Sequence, residues 1–386
     1  MSKGALGLLS AFWPEDTPRY AHIPLKTIGD TTIYPIAVAT PDRPAIVAAS
    51  GQVTYGDLAA RARTFGGALR ARAAAGSRVA IGLSDPSQLL VAMFGAFDAG
   101  MLAFADAGAL TPAALDAFSP ALVVGDGPGQ ARFEEIMTGA QQERSGRADF
   151  RTPILAMAKP DGSGEVLHNH RTLVATSISV GTFYLMAEDI SVILLEPPTN
   201  WYSLAMLLGA MHRGATVWAA WNDGSAPLPD RADYLVCGWN RMGLLLEDAV
   251  GEQLSGKIAA GLVVGVEQPF SPARRLRVGR SMRADVLTLL GRSDLGPILG
   301  SHPAWYLNDA VGIPLPNVDL RPLNPTDGEP LNIGWEVIDS AEIGVKSALA
   351  PAGGTMVSGW LRTGLSAQID PTGLFFLLPD HQLRAV

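Results

Sequence analysis

Short apolar runs without polar alternation recur along this chain and constrain its fold more than any other feature. Val79-Ala80-Ile81-Gly82-Leu83, Ala121-Leu122-Val123-Val124, Ile154 to Met157, Val192 to Leu195 and Ala215 to Ala219 are each strand-length. A strand with no polar face has no side for solvent, so both faces of its sheet must be covered. The segments between these runs read as helices. Thr54 caps one from Tyr55 to Ala75, with Leu58, Ala62, Phe65 and Leu69 on one side and Gly76 ending it. Others are expected over Gln88 to Phe97, after His170, and over Tyr202 to His212. From about Pro314 the texture changes to short strands with turns such as Asn324-Pro325-Thr326-Asp327-Gly328. The expected class is α/β, with mostly parallel sheets covered by helices and a small β-rich subdomain at the C-terminal end. The expected divisions are an N-terminal arm at 1–30, an α/β core at 31–313 and the β-rich part at 314–386, with order weakest over Gly139 to Ala148. A chain of 386 residues, 48% hydrophobic and 17% charged, is long and apolar enough to bury such sheets.

Composition then removes several function classes. A net charge of −8 argues against nonspecific attraction to nucleic acid or anionic membranes. Cys237 is the one cysteine, which rules out an intramolecular disulfide, and the six histidines show no zinc-ligand spacing. His168 and His170 flank Asn169 and would share a face on a strand, but read as ordinary surface or hydrogen-bonded histidines. The opening MSKGALGLLSAFWPED has no small-residue cleavage site, and no apolar stretch approaches the roughly 20 residues that span a bilayer, so a cytoplasmic location is expected. GRSDLG lacks the spacing of a nucleophile elbow, GDGPGQ and DGSG lack that of a dinucleotide loop, and no G-K-[ST] phosphate loop occurs.

Five segments in order carry a more specific signal: VTYGDLAARARTFGGALR with the strand and helix after it, LHNHRTLVAT, LGRSD, NDAVGIPLPNVDLRPL, and GWLRTGL followed by IDPTGLFFL. In these the chain resembles the large N-terminal domain of the adenylate-forming enzymes, which include acyl-CoA synthetases, adenylation domains and luciferases. The resemblance runs from about residue 30 to 378 and implies that family's fold, with ATP and magnesium as cofactors if ligase activity is retained.

Residue by residue, the resemblance also marks departures. The family's W-x-R-T-G-D keeps Thr363 here, but its acid, which clamps both ribose hydroxyls, is Leu365. The family's phosphate loop corresponds to MAKPDGSGEV, in which Lys159, Gly162, Ser163 and Gly164 supply a cation, small residues and a hydroxyl. Asp161 and Glu165 place negative charge beside it, and the bland reading is a tight turn joining two strands. The family's Y-G-x-T-E corresponds to Leu290 to Asp294, giving Ser293 for the α-phosphate and Asp294 for magnesium, or else a helix-end cap. Trp201, Tyr202 and the Gly291 turn are expected to wall an acyl or aryl pocket, with His302, Trp305 and Tyr306 nearby as pocket or core.

Hydrogen bonds to a charged group contribute roughly 1.5–3 kcal/mol each, so losing an acid that makes two weakens ATP binding about 10²- to 10⁴-fold. The chain ends soon after IDPTGLFFL, where the family continues into a lid domain with a catalytic lysine, so that domain is expected to be absent. A cation of that kind is commonly worth roughly 10²–10³ in rate. The reading is a degenerate acyl-CoA synthetase-like protein, a pseudoenzyme unable to adenylate efficiently alone, that keeps an acyl or aryl pocket or a partner-binding role. Two alternatives stand beside it: an acid-thiol ligase completed by a C-terminal domain supplied in trans, and an ATP-independent acyltransferase between CoA and a carrier protein. The expected partners are an acyl or aryl small molecule and either a carrier protein or a homologous ligase, with no nucleic acid and no membrane.

Overall fold

The apolar runs assemble into two largely parallel sheets, and the C-terminal segment into an antiparallel one. The computed structural model describes residues 13–108, 110–138, 149–221, 228–267, 270–332 and 336–378. The stretch expected to be least ordered, 139–148, lies outside these residues, as does 1–12 of the expected arm.

Among the described residues the larger sheet has nine strands. Its interior strands, all parallel, run in the order Val286–Arg292, Ile258–Val266, Ala232–Gly238, Ser191–Leu194, Thr216–Ala219 and Pro44–Ala48. Antiparallel strands close both edges, Gly51–Thr54 on one side and Gly296–Gly300 with Ile313–Pro314 on the other. The second sheet pairs Leu122–Gly125, Arg78–Gly82, Leu102–Asp106 and Pro153–Ala158 in parallel, and adds Glu165–Asn169 antiparallel. Helices cover both sheets, as their two-sided burial requires.

Two expectations are corrected in detail. The helix capped by Thr54 runs Tyr55–Arg70 and not to Ala75, because the Arg72 N–H bonds the Leu69 carbonyl three residues back and tightens the last turn. The C-terminal sheet begins at Val318, and two of its strands, Ile338–Ser347 and Trp360–Ile369, are ten residues long and not short. Pro351, Gly353 and Gly354 fall between those strands and so leave both intact.

The helices His170–Phe183 and Trp201–Arg213 cross with backbones in contact. A Cβ at Gly181 would lie 2.9 Å from the Gly209 carbonyl oxygen, and one at Gly209 would lie 2.9 Å from the Gly181 nitrogen. No rotamer relieves a clash against backbone. Gly181→Val should therefore cost about 1–3 kcal/mol of stability by overpacking, visible as a lower Tm; an unchanged Tm would mean the crossing has slack.

His168, His170 and His302 are buried as neutral rings. The His170 Nδ1 accepts from the Ile28 N–H at 3.2 Å, and the His302 Nδ1 from the Ala304 N–H at 3.1 Å. The His168 Nε2 donates to the Ser293 carbonyl at 2.9 Å, which ties the second sheet to the first. Burial pushes all three from the ordinary 6.5 down to about 4. The unfolded chain thus binds more protons between about pH 6.5 and pH 4, so this stability is full above pH 6.5 and lost as pH falls toward 4. Tm should drop between pH 7 and pH 5, and by less in His168→Gln; a flat pH dependence would contradict the assignment of neutral rings.

Candidate functional site

The order of the parallel strands opens a cleft at one edge of the larger sheet. From Ser191–Leu194 the chain first builds Thr216–Ala219 on one side, then crosses to Ala232–Gly238 on the other. Segments leaving the carboxyl ends of such neighbours diverge, and ligands bind in the crevice at that switch point. Here the crevice is a cleft of about 490 Å³. Glu196, Gly238, Gly265 to Glu267 and Arg292 line it from the carboxyl ends of four strands, while Gly364 to Ser366, Leu377 and Leu378 come from the C-terminal sheet.

Two carboxylates are fixed in this lining. Glu196 Oε2 accepts from the Gly238 N–H, and the Tyr202 hydroxyl faces the same carboxylate, which adds to burial in raising the tyrosine's pKa. Glu267 Oε1 accepts from the Trp201 indole N–H at 2.6 Å. The glycines make room for these rings: a Cβ at Gly265 would lie 2.3 Å from the Tyr202 ring, and one at Gly291 would lie 2.8 Å from the Trp201 ring. Arg292, the cation among the lining residues, binds both oxygens of Asp294, through Nε and Nη2 at 3.0 Å each. Cys237, behind the cleft, is wholly buried, and burial raises its thiol pKa.

The residues singled out from sequence divide between the cleft and its supports. Leu365 and Tyr202 line the cleft, and Leu365 is 7% exposed. Trp201 and Gly291 stand behind it as a packed pair, with Trp201 orienting Glu267. Thr363 is buried and its hydroxyl donates to the Ile343 carbonyl at 2.7 Å. Ser293 and Asp294 occupy the turn between the antiparallel strands Val286–Arg292 and Gly296–Gly300, which corrects the helix-end alternative. The Ser293 hydroxyl donates to the Ala158 carbonyl at 2.7 Å. Lys159, Gly162, Ser163 and Gly164 are exposed in the turn joining Pro153–Ala158 to Glu165–Asn169, where Lys159 N–H bonds the Gly164 carbonyl at 2.9 Å and Gly162 N–H the Lys159 carbonyl at 3.0 Å. Of that turn, Pro160 reaches the cleft. His302 is buried against Phe183, and Tyr306 donates to Asp285 away from the cleft.

Glu196, Glu267 and Arg292 were not singled out from sequence. Glu196 and Glu267 do share a local signal: each directly follows an apolar strand and shortly precedes a proline, in LLEPP and VGVEQP. Among the described residues no group of three potential metal ligands occurs, and no helix is long and apolar enough to cross a membrane.

Comparison with known proteins agrees with this architecture. Residues 36–118 match the AMP-binding enzyme family. The search of curated proteins gave no match. Among solved structures, ATP-bound MatB from Rhodopseudomonas palustris is similar at 18% identity and a TM-score of 0.76, over 90% of this chain and 78% of that one. A benzoate CoA ligase from Burkholderia xenovorans is similar at 17% identity and a TM-score of 0.77, over 92% of this chain and 80% of that one. The N-terminal subdomain of Klebsiella oxytoca NpsA, in complex with 3-hydroxyanthranilyl-AMSN, is covered completely, with 92% of this chain, at 19% identity and a TM-score of 0.75. The chain thus has the fold of the adenylate-forming large domain, and its residues 36–118 match the AMP-binding enzyme family.

Proposed function

We propose that this protein is a degenerate acyl-CoA synthetase-like binding protein, whose cleft takes an acyl or aryl small molecule and does not hold magnesium–ATP. The observation that carries the reading is Leu365, a hydrocarbon side chain in the cleft lining where the W-x-R-T-G-D register would put the ribose-binding acid. Three further features support it. Asp294, the candidate magnesium ligand, has both oxygens engaged by Arg292. Lys159 stands on an exposed turn outside the cleft lining. Glu196 and Glu267 put negative charge where a triphosphate would have to approach. The donor set therefore does not fit the nucleotide, and no reaction step through ATP follows from it.

The aryl part of the reading is carried over from the ligand of the NpsA subdomain to a cleft of related fold. In this reading a carrier protein or a homologous ligase is the protein partner, and the site of action is the cytoplasm.

Pyrophosphate release from MgATP, with benzoate, malonate and fatty acids offered as carboxylates, should stay at background. Leu365→Asp alone should not raise it, since Asp294 stays paired with Arg292 and Lys159 stays on a turn outside the cleft lining. Release by the unaltered protein with any of these carboxylates would overturn the proposal, and release only by Leu365→Asp would make the missing acid the sole defect.

A further inference from the structure

The cleft's charges specify more than the loss of ATP. Among the described residues its lining holds two carboxylates, Glu196 and Glu267, and one cation, Arg292, which Asp294 neutralises through a two-bond ion pair. Neither glutamate is neutralised by that arginine. Each is instead oriented by a neutral donor, the Gly238 N–H for Glu196 and the Trp201 indole for Glu267, and each of those bonds uses one oxygen of its carboxylate. Tyr202, Trp239, Leu365 and Leu377 also line the cleft, together with the amides of Asn200 and Asn240. A carboxylate entering here meets like charge, whereas a cation meets two fixed acceptors and an aromatic ring.

A second, independent feature lies in the same lining. Ser366 is 3% exposed, lines the cleft, and its buried hydroxyl has no hydrogen-bond partner among the described residues. A buried hydroxyl left unpaired is costly, and a ligand polar group would satisfy it. A bare metal ion suits the site poorly, because no group of three potential ligands occurs among the described residues.

We propose that the cleft selects an organic cation, an aryl or alkyl compound bearing a protonated amine and no free carboxylate, held between Glu196 and Glu267 with Ser366 as a further polar contact. The inference rests on the reading of the cleft as a nucleotide-free small-molecule site and names the class of ligand that it takes.

The test is calorimetric titration of the intact chain with two probes of similar shape and opposite charge, 2-phenylethylamine and 3-phenylpropionate, followed by a short series of aryl and alkyl amines. The amines should bind saturably, at least tenfold tighter than the carboxylate, and more weakly as sodium chloride is raised. Glu267→Gln and Glu196→Gln keep an oxygen to accept from Trp201 and from Gly238, so both should fold with near-native Tm and each should weaken amine binding about tenfold. Equal or tighter binding of the carboxylate, amine affinity unchanged in both variants, or no amine binding at millimolar concentration would each overturn the inference. A carboxylate preference without MgATP binding would leave the nucleotide-free reading standing, whereas MgATP binding would remove that reading whichever probe is preferred.

Discussion

Parallel pairing in the larger sheet is the constraint on which the rest depends. Because Ser191–Leu194, Ala232–Gly238, Ile258–Val266 and Val286–Arg292 run in one direction, their carboxyl ends reach the same edge. The crossing from Thr216–Ala219 to Ala232–Gly238 then parts the connections and leaves a cleft at that edge. Parallel strands need covered faces, which brings in the helices, and close covering requires the glycine contact between Gly181 and Gly209. Residues distant in the chain, such as Glu196, Glu267 and Leu365, meet only because this topology gathers them.

The same geometry shows how the site can vary while the frame is kept. Glu196 and Glu267 can change without disturbing the sheet, since the pairing of their strands ends just before them. Arg292 and Asp294 satisfy one another across a short turn, and Ser293 turns its hydroxyl to the Ala158 carbonyl. Groups that resemble nucleotide contacts in sequence are thus spent on internal bonds, of which the one from Ser293 joins the two parallel sheets. Charge at the cleft passes to Glu196 and Glu267, whose neighbours hold them in place without neutralising them.

Much of the fold was legible because its signal is local. An apolar run such as Val79 to Leu83 announces a strand covered on both faces, and Thr54 announces its helix by capping it. The end of that helix was less legible, since the tightening at Arg72 is marked by neither glycine nor proline. Of the candidate site, Leu365 and Tyr202 were legible through motif register. Glu196, Gly238 and Glu267 were not, because their meeting depends on strand order, which no short stretch of sequence encodes. Ser293 and Thr363 were legible as hydroxyls in a motif, but their engagement by the Ala158 and Ile343 carbonyls is a tertiary fact.

In the proposed reading the cleft does not hold nucleotide. Calorimetric titration of the intact protein with ATP and with AMP, each with and without magnesium, tests it most directly. The account predicts no saturable heat up to millimolar nucleotide, because Leu365 offers no acceptor to the ribose and the cleft carboxylates oppose the phosphates. Saturable binding at micromolar concentration, strengthened by magnesium, would contradict it.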